Sequence, residues 1–213
     1  MTSAPGISGP LWGTTGQRWS CWNRSKPEHG CGKDSTNRTI PVILRATQYQ
    51  WGVWSMKKII FVCHGNICRS PLAEYVMKDL VKKAGLEDRF QIASAATSRE
   101  EIGNPVYPPA RRKLAEHGIP CDGHAARQLR NRDYEEYDLL IGMDKANLRN
   151  MYRICGGDFS DKMYLLMEYA GHPEQEVADP WYTGDFDTTW RDVLVGCQGL
   201  LDDLLKKGGK TSC

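Results

Sequence analysis

The chain has 213 residues, 25% of them charged, with 28 Lys and Arg against 26 Asp and Glu for a formal net charge of +2. That length holds one full domain without requiring a second, and a near-balanced charge with no long run of one sign excludes the basic face of a nucleic-acid binder. No stretch reaches the roughly 18 consecutive apolar residues of a membrane span, and the first residues lack a basic start followed by an apolar block, so a soluble, cytoplasmic protein without membrane association is expected.

Residues 1–55 differ from the rest. They hold five of the seven tryptophans (Trp12, Trp19, Trp22, Trp51 and Trp54), six basic residues and only two acidic ones, with no sustained period of 2 or 3.6. The remainder carries 22 basic against 24 acidic residues. The segment is expected to be a disordered extension, read in frame ahead of a natural opening at Met56, where "MKKIIFV" begins. A real extension that binds through its aromatic residues is the competing reading.

From Met56 onward apolar runs alternate with helical patterns. Ile59 to Val62 reads as a strand buried on both faces, and Phe90 to Ala93, Leu139 to Ile141 and Met163 to Leu166 repeat the signal. A helix is predicted from Ser70-Pro71 to Gly85, with Leu72, Tyr75, Val76 and Leu80 on one face and Ser70 as its start signal. Others are predicted over Pro109 to Glu116 and Lys145 to Ile154. The longest carries the stripe Phe186, Trp190, Val193, Leu194, Cys197, Leu201 and Leu204. The alternation predicts an α/β fold, a small doubly wound four-stranded parallel sheet with helices on both faces, spanning 56–207 with a flexible tail at 208–213.

"FVCHGNICRSP", Phe61 to Pro71, lies where the first strand meets the first helix. Free N–H groups and the positive end of the helix dipole converge there. Gly65 is expected to supply backbone freedom for a phosphate-binding nest, and Arg69 a bidentate fork for oxyanion oxygens. Helix N-termini and adjacent arginines lower cysteine pKa values from about 8.5 to about 3.5–7.5, so Cys63 is expected to stand as a thiolate nucleophile beneath a bound phosphate. Two other readings of the cysteines are a metal knuckle, which lacks a second Cys/His pair, and a plain buried thiol.

The stretch V-C-x-G-N-x-C-R-S resembles the loop of the low-molecular-weight protein tyrosine phosphatases, a likeness that extends from Met56 to about Lys207. The resemblance implies a phosphotyrosine-hydrolysing enzyme working through a phosphocysteine, with Cys63 as nucleophile and a phosphate loop of His64, Gly65, Asn66, Ile67, Cys68 and Arg69. It implies that Asp179, in "VADPWYTGDF", protonates the leaving phenol and then activates water. Trp181 and Tyr182 would wall a slot deep enough to favour phosphotyrosine over phosphoserine, although Tyr182 could equally be a core contact. Asn66 and Ser70 would support the loop, and His117 would join their network or cap its own helix. His64 would tune the electrostatics at the bound phosphate. Cys68 would trap the oxidised nucleophile as a disulfide. Members of this fold that act on phosphoarginine carry Thr where this chain has Ile67, so Ile67 implies phosphotyrosine.

The loop after the second strand departs from the family. It reads "SAATSREEIG", with Arg99, Glu100 and Glu101 where many members place an aromatic, so either a preference for basic flanks or a merely solvated charge run follows. Asp144 and Arg127 read as structural. A thioredoxin-coupled arsenate reductase shares the fold and loop but needs two further relay cysteines, and Cys121 and Cys155 are far apart in sequence. A phosphotyrosine-binding module would have no use for the acid. No metal or organic cofactor is expected. The expected partner is a phosphotyrosine-containing protein or peptide, with a tyrosine kinase supplying it, and the enzyme is expected to be a monomer.

Overall fold

The structure is a computed structural model that describes residues 55–208. The expected extension at 1–55 and tail at 208–213 lie, except for Ser55 and Gly208, outside the described residues.

The elements run β1 (Lys57–Cys63), α1 (Arg69–Lys83), β2 (Phe90–Ala96), α2 (Pro108–Glu116), α3 (Asn131–Glu136), β3 (Leu139–Gly142), α4 (Lys145–Cys155), β4 (Met163–Leu165), α5 (Leu166–Tyr169), α6 (Pro180–Thr183) and α7 (Phe186–Gly208). The four strands form one parallel sheet in the order β2-β1-β3-β4. Parallel strands need crossovers that cover both faces, which is why β1 reads as an unbroken apolar run. Its side chains alternate: Ile59, Phe61 and Cys63 join the core beneath α1, α2, α5 and α7, while Ile60 and Val62 join the core beneath α3 and α4.

The chain leaves β1 toward β2 on one side and later crosses to β3 on the other. The carboxyl end of β1 is therefore the topological switch point, where α/β sheets open a crevice. Cys63 ends that strand.

Several boundaries differ from the pattern. Leu166 opens α5 rather than ending β4. Helix α1 starts at Arg69, so Ser70 lies inside its first turn and is not its cap. Cys121 packs under one face of the sheet and Cys155 under the other, which removes the pair as a disulfide relay. Among the described residues no helix is long and apolar enough to cross a membrane.

Helix α7 lies against α1 and α5. A Cβ at Gly199 would stand 2.0 Å from the Tyr169 carbonyl oxygen, and one at Gly196 would stand 2.5 Å from Leu166 Cγ. The first obstacle is backbone and cannot rotate away. Gly199→Ala is therefore expected to cost about 3 kcal/mol in urea unfolding; an unchanged midpoint would contradict this packing.

Candidate active site

The loop from His64 to Cys68 turns the chain from β1 into α1, and one side chain holds it. Asn66 is fully buried and takes a left-handed φ of 60°. Its Nδ2 donates to Ser70 Oγ at 3.0 Å and Ser94 Oγ at 2.8 Å, and its Oδ1 accepts the Arg127 N–H at 3.1 Å. Every polar atom of that amide is used, as burial demands. Asn66, rather than Gly65, is the left-handed residue, since the Gly65 backbone stays outside that region. What Gly65 provides is room: a Cβ there would meet Glu101 Cγ at 3.2 Å.

The Cys63 thiol sits at the floor. Its Sγ accepts the Asn66 N–H at 3.2 Å and lies 3.0 Å from Ser70 Oγ, which can donate to it. The network runs on from Asn66 through Ser94 to the buried Glu74.

Arg69 is 4% exposed and spans two carboxylates. Its Nη1 meets Asp144 Oδ2 at 2.7 Å and its Nη2 meets Asp179 Oδ2 at 2.6 Å. Burial opposes the charge, but the fields of Cys63, Asp179 and Asp144 outweigh it and hold the guanidinium pKa above its ordinary value. Asp144 also caps α4 by accepting the Asn147 N–H. Its structural role is thus to fix the arginine.

Asp179 caps α6, its Oδ1 accepting the Trp181 N–H at 3.1 Å. The preceding residues are tied down, Ala178 N–H to Asp192 Oδ2 at 3.0 Å and Ala178 carbonyl to Thr189 Oγ1 at 2.9 Å. Cys63, His64, Gly65, Ile67, Cys68, Arg69, Asp179, Trp181 and Tyr182 line one cavity of about 200 Å³ together with Glu100 and Glu101. Tyr182 is 85% exposed, so it is a rim residue and not a core contact. Trp181 leans on Tyr107, whose ring centroid is 5.5 Å away and whose N–H donates to Ile67.

His117 stands at the C-cap of α2, one of the two places expected for it, and not in the Asn66 network. Its ring stacks on Trp190 at 3.9 Å, because the end of α2 faces α7 and not the loop. His124 takes the expected place, donating from Nε2 to the Asn66 carbonyl at 2.8 Å. The stretch "GHAARQL" that carries it was the available signal. His64 points outward to Glu100 at 3.1 Å. Among the described residues no three His, Cys, Asp or Glu side chains gather as a metal site.

Burial, with added repulsion from Cys63 and Asp179, pushes the Cys68 thiol up to about 12, and burial pushes Cys155 to about 11 and Cys197 higher still. A raised thiol pKa means a neutral, unreactive sulfur at pH 7. Iodoacetate at pH 7 is therefore expected to label Cys63 first among the five described cysteines, in step with inactivation and blocked by phosphate. Peptide mapping that found Cys68 labelled first would contradict the assignment.

The model of the low molecular weight phosphotyrosine protein phosphatase family matches residues 58–210. The chain belongs to that family. It is 35% identical over 153 residues to the low molecular weight protein-tyrosine-phosphatase YfkJ of Bacillus subtilis, covering 71% of this chain and 98% of that protein. The crystal structure of YfkJ superposes with a TM-score of 0.71 at 36% identity, over 73% of this chain and 99% of that one. The human low molecular weight phosphotyrosine protein phosphatase is 36% identical over 68% of this chain and 94% of its own length. The structure of an arginine phosphatase from Drosophila also superposes, at TM-score 0.63 and 27% identity, over 70% of this chain and 98% of that one.

Proposed function

We infer that this phosphatase hydrolyses phosphotyrosine in proteins or peptides through a phosphocysteine on Cys63. The observation that carries the reading is that Arg69 holds the acid and faces the nucleophile's cavity at once, through its 2.6 Å pair to Asp179.

The phosphoryl oxygens bind the N-terminal turn of α1, whose first N–H groups have no partner within the helix, and the Arg69 fork. A bound dianion competes with Asp179 for Arg69 and frees the carboxyl group for proton transfer. Cys63 Sγ attacks phosphorus, the P–O bond to the phenol breaks, and Asp179 supplies the phenol's proton. A water deprotonated by Asp179 then attacks phosphorus, releasing phosphate and restoring the thiolate. Arg69 and the loop amides stabilise the charge spread over the equatorial oxygens, with no metal required. Asn66, Ser70 and His124 keep the loop in shape, and Trp181 and Tyr182 flank the ring.

Ile67, buried against Cys68 and Ala126, offers no polar group to a guanidinium and favours phosphotyrosine over phosphoarginine. Cys68, which lines the same cavity, would close on an oxidised Cys63 as a disulfide. The five cysteines among the described residues are free and buried, which fits a reducing, cytoplasmic setting, in which a tyrosine kinase makes the substrate and the enzyme acts as a monomer.

The test is p-nitrophenyl phosphate hydrolysis with EDTA present, competed by phosphotyrosine, phosphoserine and phosphoarginine peptides. Activity indifferent to EDTA and competition by phosphotyrosine are expected. Preference for phosphoarginine, or turnover of arsenate with thioredoxin instead, would overturn the reading.

A further inference from the structure

The wall facing Trp181 and Tyr182 is acidic. Glu100 and Glu101 line the same cavity as Cys63 and Arg69, on the segment between β2 and α2. That segment is fastened to the floor of the site. Thr97 N–H donates to the Cys63 carbonyl at 2.8 Å and Ser98 N–H to the His64 carbonyl at 2.9 Å; further along, Gly103 N–H donates to Ala126 at 2.8 Å. The Glu101 side chain lies over Gly65 because that residue has no Cβ, and Asn104 Nδ2 holds its carboxylate at 2.6 Å. Glu100 meets His64 at 3.1 Å, with both side chains largely exposed.

The charges around this mouth do not cancel. Arg69, buried at the base, is already matched by Asp144 and Asp179. Arg99 is exposed but does not line the cavity. Among the described residues that line the cavity, that leaves Glu100 and Glu101 with no Lys or Arg of their own, the His64 ring alone standing against Glu100. A phosphotyrosine side chain entering the slot carries its neighbours in the peptide across this rim. Neighbouring carboxylates would be repelled there, and ammonium or guanidinium groups attracted.

We propose that Glu100 and Glu101 make this enzyme select phosphotyrosine segments flanked by lysine or arginine. The proposal rests on the phosphotyrosine reading above and names the substrate class within it. Because the rim is exposed, the selection acts through encounter and weak pairing, a few-fold per charge, and salt weakens it.

The experiment measures kcat/KM for three phosphotyrosine peptides of equal length, with Lys, Ala or Glu on both sides of the phosphotyrosine, at low and high salt. The enzymes are wild type, the double variant Glu100→Gln with Glu101→Gln, and Glu135→Gln, which removes one exposed charge on α3. At low salt the Lys peptide should exceed the Glu peptide by about tenfold in wild type and Glu135→Gln. That ratio should shrink at high salt and fall to within about twofold in the double variant. Equal rates on the three peptides in wild type, or a ratio undiminished in the double variant, would overturn the proposal while turnover of the Ala peptide leaves the phosphatase reading standing. No turnover of any peptide or of p-nitrophenyl phosphate would sink both.

Discussion

Cys63→Ser is expected to lower kcat by about 10⁴-fold or more on every phosphate ester the wild type accepts. The hydroxyl replaces the thiol within the same contacts, Asn66 N–H at 3.2 Å and Ser70 Oγ at 3.0 Å, so the loop has no reason to collapse. What is lost is the sulfur nucleophile: a neutral serine hydroxyl does not displace a phenolate without a base beside it. Phosphate should still compete for the cradle, since Arg69 and the α1 N-terminus remain. The check is steady-state turnover together with phosphate binding by calorimetry. Residual activity within about tenfold of wild type would mean that the nucleophile lies elsewhere.

Asp179→Asn is expected to lower kcat by about 10²–10³-fold on phenyl phosphate and markedly less on p-nitrophenyl phosphate. A p-nitrophenolate leaves readily without a proton, whereas a phenolate with a higher pKa does not, so the deficit should grow with leaving-group basicity. Structural damage is an unattractive explanation for such a loss, because asparagine caps a helix as well as aspartate does and α6 should survive. An equal loss on both esters would remove Asp179 from proton transfer and leave it as a partner of Arg69.

Much of this site was legible because its parts are local. The run Ile59 to Val62, the loop to Arg69 and the Ser-Pro step are continuous in sequence, and the Asp-Pro pair precedes the longest apolar stripe in the chain. Where the pattern failed, the cause was distance or length. Helix α3, "NRDYEE", and the four-residue helices α5 and α6 are too short to show a 3.6-residue period. The pairing of Asp144 with Arg69 joins residues 75 positions apart, and only the sheet order brings the end of β3 beside the end of β1.

The two histidines show the same limit. His117 and His124 are seven residues apart, both near glycines, and nothing in their spacing says which turns toward the loop. Packing decides it: α2 presents His117 to Trp190, and the turn after it carries His124 back over Asn66. The Ser-Pro step marks Ser70 as the start of a helix, but the helix begins one residue earlier and the Ser70 hydroxyl meets Cys63.

The most direct test is to trap the intermediate. Mixing the Asp179→Asn variant, which should slow hydrolysis of the phosphoenzyme, with p-nitrophenyl phosphate, whose leaving group needs no proton, and quenching in denaturant within one turnover isolates the covalent species for peptide mapping. The account predicts a single phosphate on the sulfur of Cys63, absent in Cys63→Ser. Phosphate on a histidine, or turnover without any phosphoenzyme, would contradict it.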